Sequence, residues 1–114
     1  MDKVKKYKTI AAEIVEKIRT RGTNSDKPMV IHQAVKDQEG GHFLLFYNGW
    51  KEDMRFYGCY LHIDVTEDGK VWLQHDGTDL IVAKQLEEKG IPKSDIVIGF
   101  HAPFMREDTE HALG

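Results

Sequence analysis

The chain's 114 residues, 40% apolar and 31% charged with a formal net charge of −3, describe one globular domain (1–114) with its own core, not a disordered or disulfide-stapled chain. A single cysteine, Cys59, rules out an intrachain disulfide and suits a reducing compartment, and the apolar run around it points to a buried, inert thiol. The opening MDKVKKYKTI lacks the apolar stretch of a secretory leader and no run reaches membrane-spanning length, so a cytoplasmic protein without membrane contact is expected.

Val4, Tyr7, Ile10, Ala11, Ile14, Val15 and Ile18 recur at three- and four-residue spacing, which predicts an amphipathic helix at the start of the chain. Its other face carries Lys3, Lys5, Lys6, Glu13, Glu16, Lys17 and Arg19. Residues 1–27 hold a local charge of +4 against −7 for the remainder. Attraction to DNA or an acidic surface is therefore confined to this helix, and a solvated basic face is the plainer reading. Gly22 is the predicted stop, with RGTNSDKP (21–28) as the following loop.

From Met29 the pattern changes to strands. Four are predicted: Met29–Lys36, His42–Trp50, Arg55–Thr66 and Lys70–His75. DQEGG (37–41) is a turn, Asn48-Gly49 a candidate tight turn or bulge, and Gly58 a candidate bulge or close approach. Asp68-Gly69 is a hairpin signal. Thr78 is the expected N-cap of a helix over Asp79–Lys89, with Leu80, Val82, Ala83 and Leu86 as inward candidates. Asp79 suits the positive start of that helix and Lys89 its end; Gly90 and Pro92 terminate it. Asp95–Phe100 is a short apolar strand, and His101–Gly114 a loop with a short terminal segment. The order α-β-β-β-β-α-β predicts an α+β fold: a mainly antiparallel β-sheet with an N-terminal helix and a second helix packed on it.

The hairpin offers one candidate metal site. With a two-residue turn at Asp68-Gly69, Val65 faces Trp72, Asp64 faces Leu73 and His62 faces His75. His62, Asp64 and His75 then share a sheet face, and two imidazoles with a carboxylate are competent ligands for a transition metal. A three-residue turn shifts the register by one and separates the histidines. Polar residues alternating with Leu61, Ile63 and Val65 mark a solvated sheet face, and the spacing matches no established metal box, so no metal and no cofactor are expected. The Gln74-His75-Asp76 stretch reads as turn and cap chemistry. In GFHAP (99–103), Pro103 points to an extended turn, with His101 hydrogen-bonded to backbone. No serine-centred motif, phosphate loop or dinucleotide fingerprint is present, so no catalytic residue is assigned. Trp50, Trp72, Phe56, Tyr57 and Tyr60 make an aromatic-rich sheet, which suits core packing or, in the sharper reading, a partner interface. The interface candidates are Trp50, Arg55, Tyr60, Trp72, His101 and Arg106.

YNGW (47–50), GCYLHIDV (58–65), KVWLQHDGT (70–78) and GIPKSDIVIGFHAP (90–103) stand in an order and spacing that resembles the XisI family, as does the opening helix with Tyr7. The resemblance covers essentially the whole chain. It implies a cytoplasmic α+β protein of the kind found chiefly in cyanobacteria, a controlling factor for excision of the fdxN DNA element during heterocyst differentiation. It implies a partner, the nuclease-like XisH protein, with DNA reached through the complex and the recombination itself carried out by a separate enzyme. It carries no catalytic residues to this chain.

Three functions are thus weighed. The first is a non-enzymatic factor that binds a XisH-like protein, with self-association left open. The second is direct DNA binding through the first helix, with Lys5, Lys6 and Arg19 as contacts. The third and least supported is a metal-dependent hydrolase on His62, Asp64 and His75.

Overall fold

A computed structural model describes residues 2–21, 29–106 and 110–114. The predicted stop at Gly22 and the predicted loop beyond it lie outside the described residues. Helix α1 spans Lys3–Arg21 and buries Tyr7, Ile10, Ala11, Ile14, Val15 and Ile18, the side chains that the spacing picks out. Strands β1 (Val30–Asp37), β2 (His42–Lys51), β3 (Met54–Val65) and β4 (Val71–Asp76) follow. Helix α2 (Val82–Glu88), a 3-10 turn at Lys93–Asp95, strand β5 (Ile96–Ile98) and a short helix α3 (Pro103–Arg106) complete the order. The strands form one five-stranded sheet in the order β1-β2-β3-β4-β5. Its pairs are antiparallel except β4–β5, which is parallel. The fold is α+β, as expected.

Strand alternation sends Phe43, Leu45, Leu61, Ile63, Val65, Val71, Leu73, Ile96 and Ile98 to one face, where they pack with the apolar stripe of α1 and with Val82 and Leu86 of α2. The helices lie on this face. The opposite face over β1, β2 and β3 bears no helix among the described residues, and Trp50, Arg55, His62 and Asp64 lie on this open face.

Several boundaries differ from expectation, each for a local reason. Asn48-Gly49 is not a turn: both residues lie inside β2, and the reversal falls at Glu52, which adopts a left-handed backbone. The bulge expected near Gly58 falls at Tyr60, where the β2–β3 register shifts by one residue between Leu45 and Phe46. Helix α2 starts at Val82, not Asp79. The cause is Asp76: its carboxylate accepts from the Thr78 backbone (2.9 Å), the Thr78 hydroxyl (2.5 Å) and the Val82 backbone (2.9 Å). Asp76 thereby does the capping assigned to Thr78 and holds residues 77–81 as a loop, with Asp79 left out of the helix. The other end matches expectation, with Gly90 in a left-handed conformation and the Ile91 amide bonded to the Leu86 carbonyl at 3.1 Å. Strand β5 is shorter than predicted because Asp95 belongs to the 3-10 turn, and residues beyond Ile98 turn away, with the His101 amide bonded to the Ile98 carbonyl.

Candidate functional site

On β2 the alternation that buries Phe43 and Leu45 turns His42, Leu44, Phe46, Asn48 and Trp50 to the open face. Pairing with β3 sets Arg55 opposite Trp50 and Tyr57 opposite Asn48. The Arg55 guanidinium lies 5.4 Å from the Trp50 ring and 5.5 Å from the Tyr57 ring, a cation held between two aromatic faces. Both rings are more than half exposed, Trp50 at 53% and Tyr57 at 65%. Ile31 and Val35 on β1 extend the same surface with further exposed apolar area, and Phe46 packs beside Tyr57. An aromatic and aliphatic patch with an arginine at its centre is the composition that anchors protein partners.

At the other end of the open face, three polar side chains converge. His42 on β2 pairs directly with Asp64 on β3, and His62 lies two residues before Asp64 on the same face. His42 Nδ1 and His62 Nε2 each donate to Asp64 Oδ1 at 2.8 Å. Gln74 Nε2 donates to the other oxygen, Oδ2, at 3.2 Å. Burial pushes the Asp64 carboxyl upward, but the hydrogen bonds from His42, His62 and Gln74 outweigh it and hold the group below the ordinary carboxylate range. The bond to Asp64 in turn raises His42 above the usual imidazole value.

This is not the set that the hairpin spacing suggests. The turn is longer than two residues: Val65 pairs with Val71 and Asp64 with Trp72, closed by a bond from the Thr66 amide to the Lys70 carbonyl. A second irregularity between His62 and Ile63 restores the His62–His75 pairing. Even so, the β4 side chain that reaches Asp64 is Gln74, while His75 is exposed and outside the cluster. Of the predicted His62, Asp64 and His75, the structure brings together the first two and substitutes His42 for the third. A signal for His42 was present: extending a Trp50–Arg55 pairing back through one bulged residue sets His42 opposite Asp64.

The other interface candidates divide by face. Trp50 and Arg55 meet on the open face. Tyr60 lies on the helix side, its hydroxyl bonded to His32 Nδ1 at 2.8 Å and its ring stacked on Tyr47. Trp72, His101 and Arg106 form a separate group at the C-terminal segment. The Arg106 guanidinium sits 5.3 Å from the Trp72 ring and donates to the carbonyls of Gly99, His101 and Leu113. Its work there is to fasten the tail over β4. Pro103 opens α3 in place of an extended turn, and His101 Nδ1 is buried with no hydrogen-bond partner among the described residues, so the expected contact with backbone is not made through that nitrogen there. Cys59 is half-buried, with its thiol pushed up by burial and donating to the Leu61 carbonyl.

Sequence reasoning missed one further cluster. Asp95, predicted as a strand residue, is buried behind α1, where its carboxylate accepts from the Tyr7 hydroxyl at 2.5 Å. Lys3 and Lys70 flank it at 3.5 and 3.6 Å. These groups lie across the helix–sheet junction and tie α1 to the approach to β5.

A helix-backed, mainly antiparallel sheet with one open aromatic face defines a small α+β protein whose chemistry is concentrated on a surface. The chain belongs to the XisI protein family, whose sequence model matches residues 1–113. Among solved structures it is similar to a XisI-like protein from Anabaena variabilis ATCC 29413, with 30% identity, 97% of this chain and 99% of that chain covered, and a TM-score of 0.88. It is also similar to the fdxN element excision controlling factor XisI from the same organism, with 29% identity, 99% and 100% coverage, and a TM-score of 0.82. No curated protein matches the sequence.

Proposed function

We propose that this chain is a non-enzymatic controlling factor for excision of a DNA element, and that it acts by docking its open sheet face on a nuclease-like XisH partner in the cytoplasm. Family membership and the similar excision controlling factor support the first half. The observation that carries the second is the Trp50–Arg55–Tyr57 cluster, an exposed aromatic pair already ordered around an arginine. Preordered aromatic side chains lose little entropy on binding, which favours their use as anchors. DNA is then contacted through the complex.

Co-expression with a XisH-like protein, followed by size-exclusion chromatography with light scattering, tests this reading. A mixed complex that Trp50→Ala with Arg55→Ala disperses supports it. Two separate peaks from the unaltered proteins would sink it. That second outcome promotes direct DNA binding through α1, where Lys5 and Lys6 are exposed, whereas Arg19 is held by Glu16. Such binding is checked by its steep fall with salt and by its loss in Lys5→Ala with Lys6→Ala.

A further inference from the structure

The His42–His62–Asp64 cluster has the parts of a metal site, and the geometry points to a binding site for one divalent transition ion of the zinc class, with His42 Nδ1, His62 Nε2 and Asp64 Oδ1 as ligands. One ligand atom from each of the three residues lies within 4.8 Å of the other two. In a tetrahedral site with bonds of about 2.0–2.1 Å, ligand atoms stand roughly 3.3 Å apart. For an ion to replace the two N–H protons, the two contacts of 2.8 Å to Asp64 Oδ1 open by about half an ångström and the two imidazole nitrogens settle at about 3.3 Å from each other. The half-exposed His42 ring can make that movement.

Three structural features suit an ion at this position. The ligands come from neighbouring strands in a fixed register, not from loops, so their spacing is set by the sheet. Asp64 presents one oxygen to both imidazoles while Gln74 engages the other at 3.2 Å, the outer contact that orients a coordinating carboxylate. Two imidazoles with a single carboxylate select a transition ion over magnesium or calcium, which take oxygen-rich sites. The exposed side of His42 leaves the remaining coordination position to water. The site does not depend on the partner interaction, since all its ligands belong to this chain.

The test is calorimetric titration of the tag-free full chain, stripped by chelator, with zinc chloride, and thermal melts alongside. The expected result is saturable binding of one ion per chain, with a higher melting temperature and no competition from millimolar magnesium. His42→Ala and His62→Ala each weaken binding at least tenfold, whereas His75→Ala and Cys59→Ser leave it within about twofold. Gln74→Ala, which removes no ligand, weakens it by roughly ten- to a hundredfold. This variant keeps the test decisive should a histidine variant fail to fold. The inference is overturned by the absence of saturable binding, by binding that survives His42→Ala with His62→Ala, or by an equal loss in His75→Ala.

Discussion

The Tyr7 hydroxyl and the Asp95 carboxylate are separated by 88 positions in the chain and meet at 2.5 Å. Burial alone would raise the Asp95 carboxyl, but the Tyr7 bond and the charges of Lys3 and Lys70 hold it below the ordinary carboxylate range. The charged form is thus the one the fold stabilises. That contribution is complete at neutral pH and is lost as pH falls through a value below the usual carboxylate range. Tyr7 runs the other way: burial, then the bond to Asp95 and its negative charge, push the phenol up to about 12. Its contribution is complete below its ordinary value of 10.0 and disappears as pH climbs toward about 12. Tyr7→Phe is expected to cost about 1–3 kcal/mol in urea unfolding at neutral pH, because Asp95 loses a buried donor. The same variant should abolish the phenol's share of the alkaline stability loss, which unfolding at a series of pH values from 9 upward measures. Tyr7 was placed correctly on the inward helix face from spacing alone. Its polar partner was not legible, since periodicity reports which face is buried but not which distant residue meets it.

At the scale of elements, two glycines show how backbone approach fixes the sheet. Gly49 has ordinary dihedrals, yet a Cβ there would collide with the Met29 carbonyl oxygen, which accepts from the Trp50 amide at 3.1 Å. Gly49→Ala should therefore destabilise by about 1–3 kcal/mol through strain against β1, and faster amide exchange confined at first to β1 would confirm the location. Gly41 adds a positive φ of 80° to an equally close approach, in its case to the Val65 carbonyl. The NG pair is therefore neither the turn nor the bulge that it suggests; what Gly49 supplies is room for a close approach of the β1 backbone. Strand existence and order were readable because β-branched and aromatic runs alternate with turn residues. Register was less readable: the bulge at Tyr60 and the long turn after Val65 each move the pairing by one. Those single-residue shifts explain why His62 and Asp64 were recovered while His42 was missed. The late start of α2 has the same origin, a side-chain acceptor at Asp76 competing with backbone helix bonds.

Across the whole molecule, the C-terminal segment decides which surface stays open. Val97 lies on the side of the sheet opposite the helices and is nevertheless fully buried, with Ala112 bridged to it and Arg106 stacked over the neighbouring Trp72. Arg106→Ala should loosen this cover. In a Trp50→Phe background, where Trp72 is the remaining indole, its emission should move to longer wavelength, with a stability loss of about 0.5–3 kcal/mol. Unchanged emission would count against this role for Arg106. The bridge from Ala112 to Val97 has another effect. Backbone groups on the outer side of β5 are partly occupied, with the Ala112 amide bonded to the Ile96 carbonyl at 2.8 Å. Among the described residues, β1 has no strand on its outer side. Among the described residues, the sheet is thus open to extension at the β1 margin and partly covered at the β5 margin. Strand addition between copies is therefore easiest β1 to β1 about a twofold axis, and the pair so formed presents only its partly covered β5 margins to further copies.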